Sequence, residues 1–107
     1  MNDCVWVNTA LWGEMHAGRI SVDGVRTVFL LLNCMKKDWG YADTCLPELR
    51  VILQERSSRK IANDLRRLER DGFITTNGIR TDGTKFQVSI NPRWGSLEQP
   101  EGEAGHE

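Results

Sequence analysis

At 107 residues, 39% hydrophobic and 27% charged, the chain is long enough for one compact domain with a modest core and too short for two. Its formal charge of -1 hides an asymmetry: residues 1–49 sum to -2, residues 50–93 to +5 and the last fourteen to -4, so an acidic end masks a basic centre. No apolar run approaches the length of a membrane span, and residues 1–7, "MNDCVWV", lack the basic start and long apolar stretch of a secretion signal. A cytoplasmic protein with no membrane partner is expected.

In chain order, "CVWVNTALWGEM" is apolar enough to be structured, as an extended segment or a short helix packed on the core. Next, "SVDGVRTVFLLLNCMKK" puts Val22, Val25, Phe29, Leu32 and Met35 at spacings of three and four behind Ser21, a good acceptor for the free amides of a first turn. This predicts a helix despite Gly24, ended by Lys36, Lys37 and Gly40. A second, short helix follows in "TCLPELRVILQE", with Thr44 as N-cap, Pro47 in the first turn and Leu46, Leu49, Ile52 and Leu53 on one face.

The third helix is "SSRKIANDLRRLERDGFI", residues 57–74. Ser57 or Ser58 caps it, Ile61, Leu65 and Leu68 form its apolar spine, and Gly72 stops it. In "FITTNGIRTDGTKFQVSINP" the period changes to alternation, with Phe86, Val88 and Ile90 on one face and Gln87 and Ser89 on the other. Asp82-Gly83 is the favoured two-residue hairpin turn, because both central positions of such a turn need positive φ; Asn77-Gly78 ranks second. Pro92 ends the strand. The end, "SLEQPEGEAGHE", joins Pro, Gly and Glu with almost no apolar residues and is expected to be disordered.

Helix, short helix, tight turn, basic helix and hairpin is the order of a winged helix-turn-helix. The stretch "LPELRVILQERSSRKIANDLRRLERDGFI" with its hairpin resembles the winged-helix domains of prokaryotic and phage DNA-binding proteins, over about residues 20–91. The match is most specific at Leu65, Leu68, Glu69, Gly72 and Ile74, which fit the family's "L..LE..G.I" lead into the wing. The segment "WVNTALWGEM...VRTVFLLLNCMKKDWG" resembles, more weakly, the N-terminal domains of plasmid and phage replication proteins. The implied fold is α+β, mainly α: a three-helix core plus a β-hairpin wing over residues 1–95, and an acidic tail over 96–107. In one respect the chain departs from the family. Gln54-Glu55-Arg56-Ser57 stands where a helix-turn-helix usually has Gly and a small apolar plug, so either Leu53 takes the plug position or the turn is one residue longer.

With Ile61, Leu65 and Leu68 inward, helical geometry turns Ser58, Arg59, Asn63, Arg66 and Arg70 outward and puts Lys60 and Arg67 on the flanks. Arg can donate twice to guanine, Asn can pair with adenine, and Ser or Thr can bond a phosphate or a base edge. A recognition helix enters the major groove by its N-terminal half. Ser57, Ser58, Arg59, Lys60 and Asn63 are therefore expected at or near bases, with Arg56 just ahead of them and Arg66, Arg67 and Arg70 on phosphates. Arg80, Thr81, Thr84 and Lys85 at the wing tip would meet phosphates or a minor groove. The bland alternative is a solvated face on which Arg66 and Arg70 make weak surface pairs with Glu69 and Asp64.

The partner implied is double-stranded DNA, and the role a small transcriptional regulator of phage, plasmid or bacterial origin. A replication-initiation or accessory protein is the alternative in the same binding class, and a protein-interaction module on the same fold the alternative from another. A homodimer contact through the N-terminal segment, and a protein partner for that segment or for the acidic tail, stay open. Trp6 and Trp12 are expected in the core or an interface and Trp94 folded back on the sheet, since large aromatics more often anchor packing than stack on bases. Cys4, Cys34 and Cys45 form no CxxC pair, so reduced thiols are expected, with Cys34 an ordinary core residue. His16 and His106 have no ligand-like neighbours. Without a phosphate loop, paired carboxylates or an activated nucleophile, neither an enzyme nor a cofactor or metal is expected.

Overall fold

The computed structural model describes residues 6–35 and 40–96. Along them run β1 (Trp6–Val7), α1 (Ala10–His16), α2 (Val22–Cys34), β2 (Ala42–Thr44), α3 (Leu46–Leu53), α4 (Ser58–Arg70), β3 (Ile74–Thr76), β4 (Phe86–Ile90) and β5 (Gly95–Ser96). The described residues form a small α+β fold of four helices, a three-stranded antiparallel sheet ordered β2-β4-β3, and a separate β1-β5 pair.

Helix α2 starts as its sequence requires. The Ser21 hydroxyl accepts from the Gly24 amide at 2.9 Å, and Asp23 sits at the positive helix end. Its buried face is Val25, Val28, Leu31 and Leu32, a rotation of the expected one: Val22 is 69% exposed, and Phe29 and Met35 are half-buried. Helices α1 and α3 and the sheet all pack on α2, and Val28 and Leu31 are fully buried among them. Gly24 is a packing choice, since a Cβ there would stand 2.8 Å from Cγ1 of Ile20. The expected helix end at Lys36 and Lys37 lies outside the described residues.

Thr44, expected as the cap of the next helix, belongs instead to β2. Residues 42–44 pair with β4 from Ala42↔Val88 to Thr44↔Phe86, so Cys45 takes the cap position without a side-chain bond. The Thr44 hydroxyl donates to Glu48 at 3.3 Å. Leu46, Leu49 and Leu53 of α3 are buried and Ile52 half-buried. The turn into α4 comprises Gln54, Glu55, Arg56 and Ser57. Gln54 adopts φ 54° and ψ 44°, the left-handed conformation that glycine reaches without a Cβ clash. The Glu55 amide donates back to the Arg50 carbonyl at 3.0 Å, and Arg26 of α2 donates to the Leu53 carbonyl. Leu53 itself is 5% exposed and packs into the core just ahead of the turn.

The Ser57 hydroxyl caps α4 by accepting from the Lys60 amide at 3.1 Å. Ile61, Ala62, Leu65 and Leu68 form the buried spine. Each member of the "L..LE..G.I" pattern has a mechanical task. Leu65 and Leu68 are core, Gly72 turns the chain at φ 85°, and Ile74 is fully buried in β3. One carboxylate oxygen of Glu69 accepts from both the amide and the hydroxyl of Thr76, each at 3.0 Å, bolting the end of α4 to β3. Asn91 adds a second bolt by donating to the Gly72 carbonyl at 2.8 Å.

Phe86, Val88 and Ile90 face the core as the alternation predicts. The two-residue turn at Asp82-Gly83 is not formed. The β3-β4 ladder runs from Ile74↔Ile90 to Thr76↔Val88, which leaves residues 77–85 as a long loop, and Gly83 has positive φ while Asp82 does not. The tip is folded by the Asp82 carboxylate, which accepts from the Thr84 amide at 3.0 Å and its hydroxyl at 2.7 Å. At the loop's root, the Asn77 amide donates to the Gln87 carbonyl, and the Gln87 amide donates to the Asn77 side chain at 2.7 Å.

The N-terminal segment takes both of its expected forms, strand and helix. β1 pairs with β5 as Trp6↔Ser96 and Val7↔Gly95, and the Asn8 amide donates to the Trp94 carbonyl at 2.9 Å. Trp94 is 6% exposed and packs on Phe73 with ring centroids 5.3 Å apart. Trp12 is 43% exposed and lies against Phe29 at the surface, so it is not a core anchor. Trp39, the side chain of Trp6 and residues 97–107 of the expected tail lie outside the described residues.

Leu65→Ala should cost about 2–5 kcal/mol in urea unfolding, against less than about 0.5 kcal/mol for Val51→Ala at a 77% exposed position. Gln54→Gly should raise stability by up to about 1 kcal/mol by relieving the left-handed backbone; no gain would mean that the turn relaxes away from this conformation in solution.

Candidate nucleic-acid interface

The seated spine of α4 fixes what its outer face presents. Ser58, Arg59, Asn63 and Arg66 line one side of a groove of about 410 Å³, Thr81 from the loop tip closes the other, and Leu46 and Ala62 contribute to its lining. Helix and loop thus meet across one groove, and four of the thirteen expected contact residues stand together on the helix. Asn63 accepts from the Arg66 guanidinium at 3.3 Å, leaving its own amide donors directed elsewhere. Among the described residues, the guanidinium groups of Arg59 and Arg56 make no hydrogen bond or ion pair. Arg80 is exposed on the loop near Asp82.

Other expected members are committed elsewhere. The Lys60 ammonium lies 2.9 Å from Asp64, 3.3 Å from Asp23 and 3.8 Å from Glu55. The Asp64 hydrogen bond is the main cause that holds its pKa above the ordinary lysine value. It faces α2 and the turn, on the flank away from the groove. Ser57 spends its hydroxyl on the cap. Lys85 sits 3.2 Å from Glu48, whose hydrogen bond raises its pKa, and Thr84 donates to Asp82.

Arg67 and Arg70 line a different cleft, at the C-terminal end of α4, together with Arg19 and Arg93; Arg70 is paired with Asp71 at 3.1 Å. The bland pairing of Arg66 and Arg70 with Glu69 and Asp64 does not occur, because Asp64 is taken by Lys60 and Glu69 by Thr76.

Sequence reasoning missed Asp23, Glu48 and Glu55, the carboxylates that decide which cations stay available, and Leu46, which helps line the groove. The Lys60-Asp64 spacing of four was a readable signal; the other two partners of Lys60 come from the turn before α4 and from α2, and only the fold brings them in. Cys34 is half-buried, and burial pushes its thiol pKa up, as for an inert packing cysteine. Cys45 is buried and also free. His16 is exposed. Among the described residues there is no His, Cys, Asp and Glu group that could hold a metal, and no helix long and apolar enough to cross a membrane.

Comparison of the chain with protein-family models, curated proteins and solved structures returned no match.

The loop tip gives a pH prediction. The Asp82 carboxyl is held below its ordinary value of 3.8, chiefly by the Thr84 hydroxyl. A depressed carboxyl stabilises fully above its unfolded value and loses that contribution as pH falls through the lower folded value. The Thr84 amide resonance should therefore hold its position down to the ordinary aspartate value and move only below it. A midpoint at or above that value would show that the tip is not closed this way.

Proposed function

We propose that this chain is a winged helix-turn-helix protein that binds double-stranded DNA, with α4 in the major groove and the 77–85 loop along the adjoining backbone, and that it acts as a small transcriptional regulator. The observation that carries the reading is the shared groove. Arg59, Asn63 and Arg66 on the helix and Thr81 on the loop face one another. Arg and Asn are the residue types that read guanine and adenine edges. The described order of α2, β2, α3, a four-residue turn, α4, β3, a loop and β4 agrees with it. The alternating charge of the sequence supports it too, since the +5 segment is the one that carries both walls of the groove.

Only uncommitted cations can release counterions on meeting phosphate. Arg56, Arg59, Arg66 and Arg80 supply about four such charges, so log K should fall against log salt with a slope of about -4. Starting from a duplex selected out of a random pool, replacing Arg59 and Asn63 together with Ala should lower affinity for that duplex about 10- to 1,000-fold, while non-specific, salt-sensitive binding persists. Arg80→Ala should weaken all sequences alike and reduce the slope by about 1. Absence of any duplex affinity at low salt would refute the reading.

A further inference from the structure

The cleft at the C-terminal end of α4 has a volume of about 1010 Å³. Arg19, Arg67, Arg70 and Arg93 stand around it, exposed Val22 and half-buried Met15 contribute apolar surface, and the buried Phe73 and Trp94 close its base. Two of the four cations are already matched inside the cleft. Arg19 grips Glu14 through two contacts of 2.8 Å, and Arg70 is paired with Asp71. The other two are not. The Arg67 guanidinium makes no ion pair among the described residues, and that of Arg93 lies over the Trp94 ring at 4.7 Å from its centre. The cleft therefore offers a net positive charge beside the apolar side chains of Met15 and Val22 and fits an acidic, extended peptide.

The sequence supplies such a peptide from the cleft's own margin. Arg93 and Trp94 belong to the lining, Gly95 and Ser96 are fixed in β5 against β1, and residue 97 follows directly. Residues 97–107 read "LEQPEGEAGHE": one Leu, four Glu and neither Lys nor Arg. At about 3.3–3.6 Å per extended residue, the two residues that follow Ser96 span at most about 7 Å, a reach that matches the short distance from β5 to a cleft lined by Arg93 and Trp94. Attachment in the same chain gives an effective concentration on the order of millimolar, at which individually weak ion pairs suffice to hold a segment.

We propose that residues 97–107 occupy this cleft in the same molecule, with Leu97 against the apolar surface and Glu98 and Glu101 facing Arg67 and Arg93. The contact neutralises the C-terminal end of α4 and leaves the groove of Arg59, Asn63 and Thr81 open. It stands whether or not the chain binds DNA.

The test uses the full chain in dilute solution, followed by NMR. Nuclear Overhauser contacts are expected between residues 97–101 and the Trp94 ring at about 20 mM salt, weakening towards about 0.5 M as the charges are screened. Substituting Glu98, Glu101, Glu103 and Glu107 together with Gln should abolish these contacts and shift the Trp94 indole and Arg93 amide resonances. Arg67→Ala with Arg93→Ala should abolish them too, without moving the β3-β4 resonances. No contact between residues 97–101 and Trp94 in the unsubstituted chain at low salt would overturn the proposal. So would contacts that grow with protein concentration, which would place the segment on a second copy.

Discussion

Everything that this surface presents depends on how α4 is seated. Ile61, Ala62, Leu65 and Leu68 are each no more than 4% exposed, and burying such side chains is worth about 1.5–3 kcal/mol apiece for the larger ones. A rotation of the helix by one residue would bring charged side chains into the core, at a cost that surface pairing could not offset. The apolar spine thus decides the direction of Arg59, Asn63 and Arg66 without touching them. The Ser57 cap and the buried Leu53 fix where the helix begins, and the bolts at Glu69 and Asn91 fix where it ends.

On that frame, carboxylates rather than cations set the pattern of charge. Lys60 stands among three acids, and Lys85 and Arg70 are each joined to one. These pairs are exposed and contribute little to stability, but each withdraws a cation from the surface field. Around α4 and the loop, what is left is two separated sets: Arg56, Arg59, Arg66 and Arg80 by the groove and turn, and Arg67 and Arg93 by the second cleft. A count of basic residues along α4 would treat them as one continuous stripe. Helical geometry and the partners from α2 and the turn divide them.

The helices were legible because their information is local. Ser21, Ser57, Gly72 and the spine of α4 act within a turn or two of themselves. The inward residues of β4 were legible for the same reason, through simple alternation. What could not be read depends on residues far apart in sequence. β2 has only three residues, too few to show a period, and exists because it pairs with β4 more than forty positions later. Its formation also displaced Thr44 from the cap it was expected to make. The Asp82-Gly83 pair signalled a turn, and the backbone does turn there, but the register of Thr76 with Val88 makes the loop long rather than tight. The inward face of α2 was misjudged at Val22 because neighbouring elements, not the periodicity, choose which side of an all-apolar run is covered. At the candidate site, residue types on the outer face of α4 were readable; the loss of Lys60 to Asp23 and Glu55 was not.

The double acceptance by one oxygen of Glu69 has a consequence for anything that enters the groove. Because that oxygen holds both the amide and the hydroxyl of Thr76, the helix and the strand that leads into the loop are clamped at a common root, and the Asn77-Gln87 bonds extend the clamp one step outward. The two walls therefore diverge from one shared hinge line, and any freedom to change the width of the groove belongs to residues 78–85 beyond it.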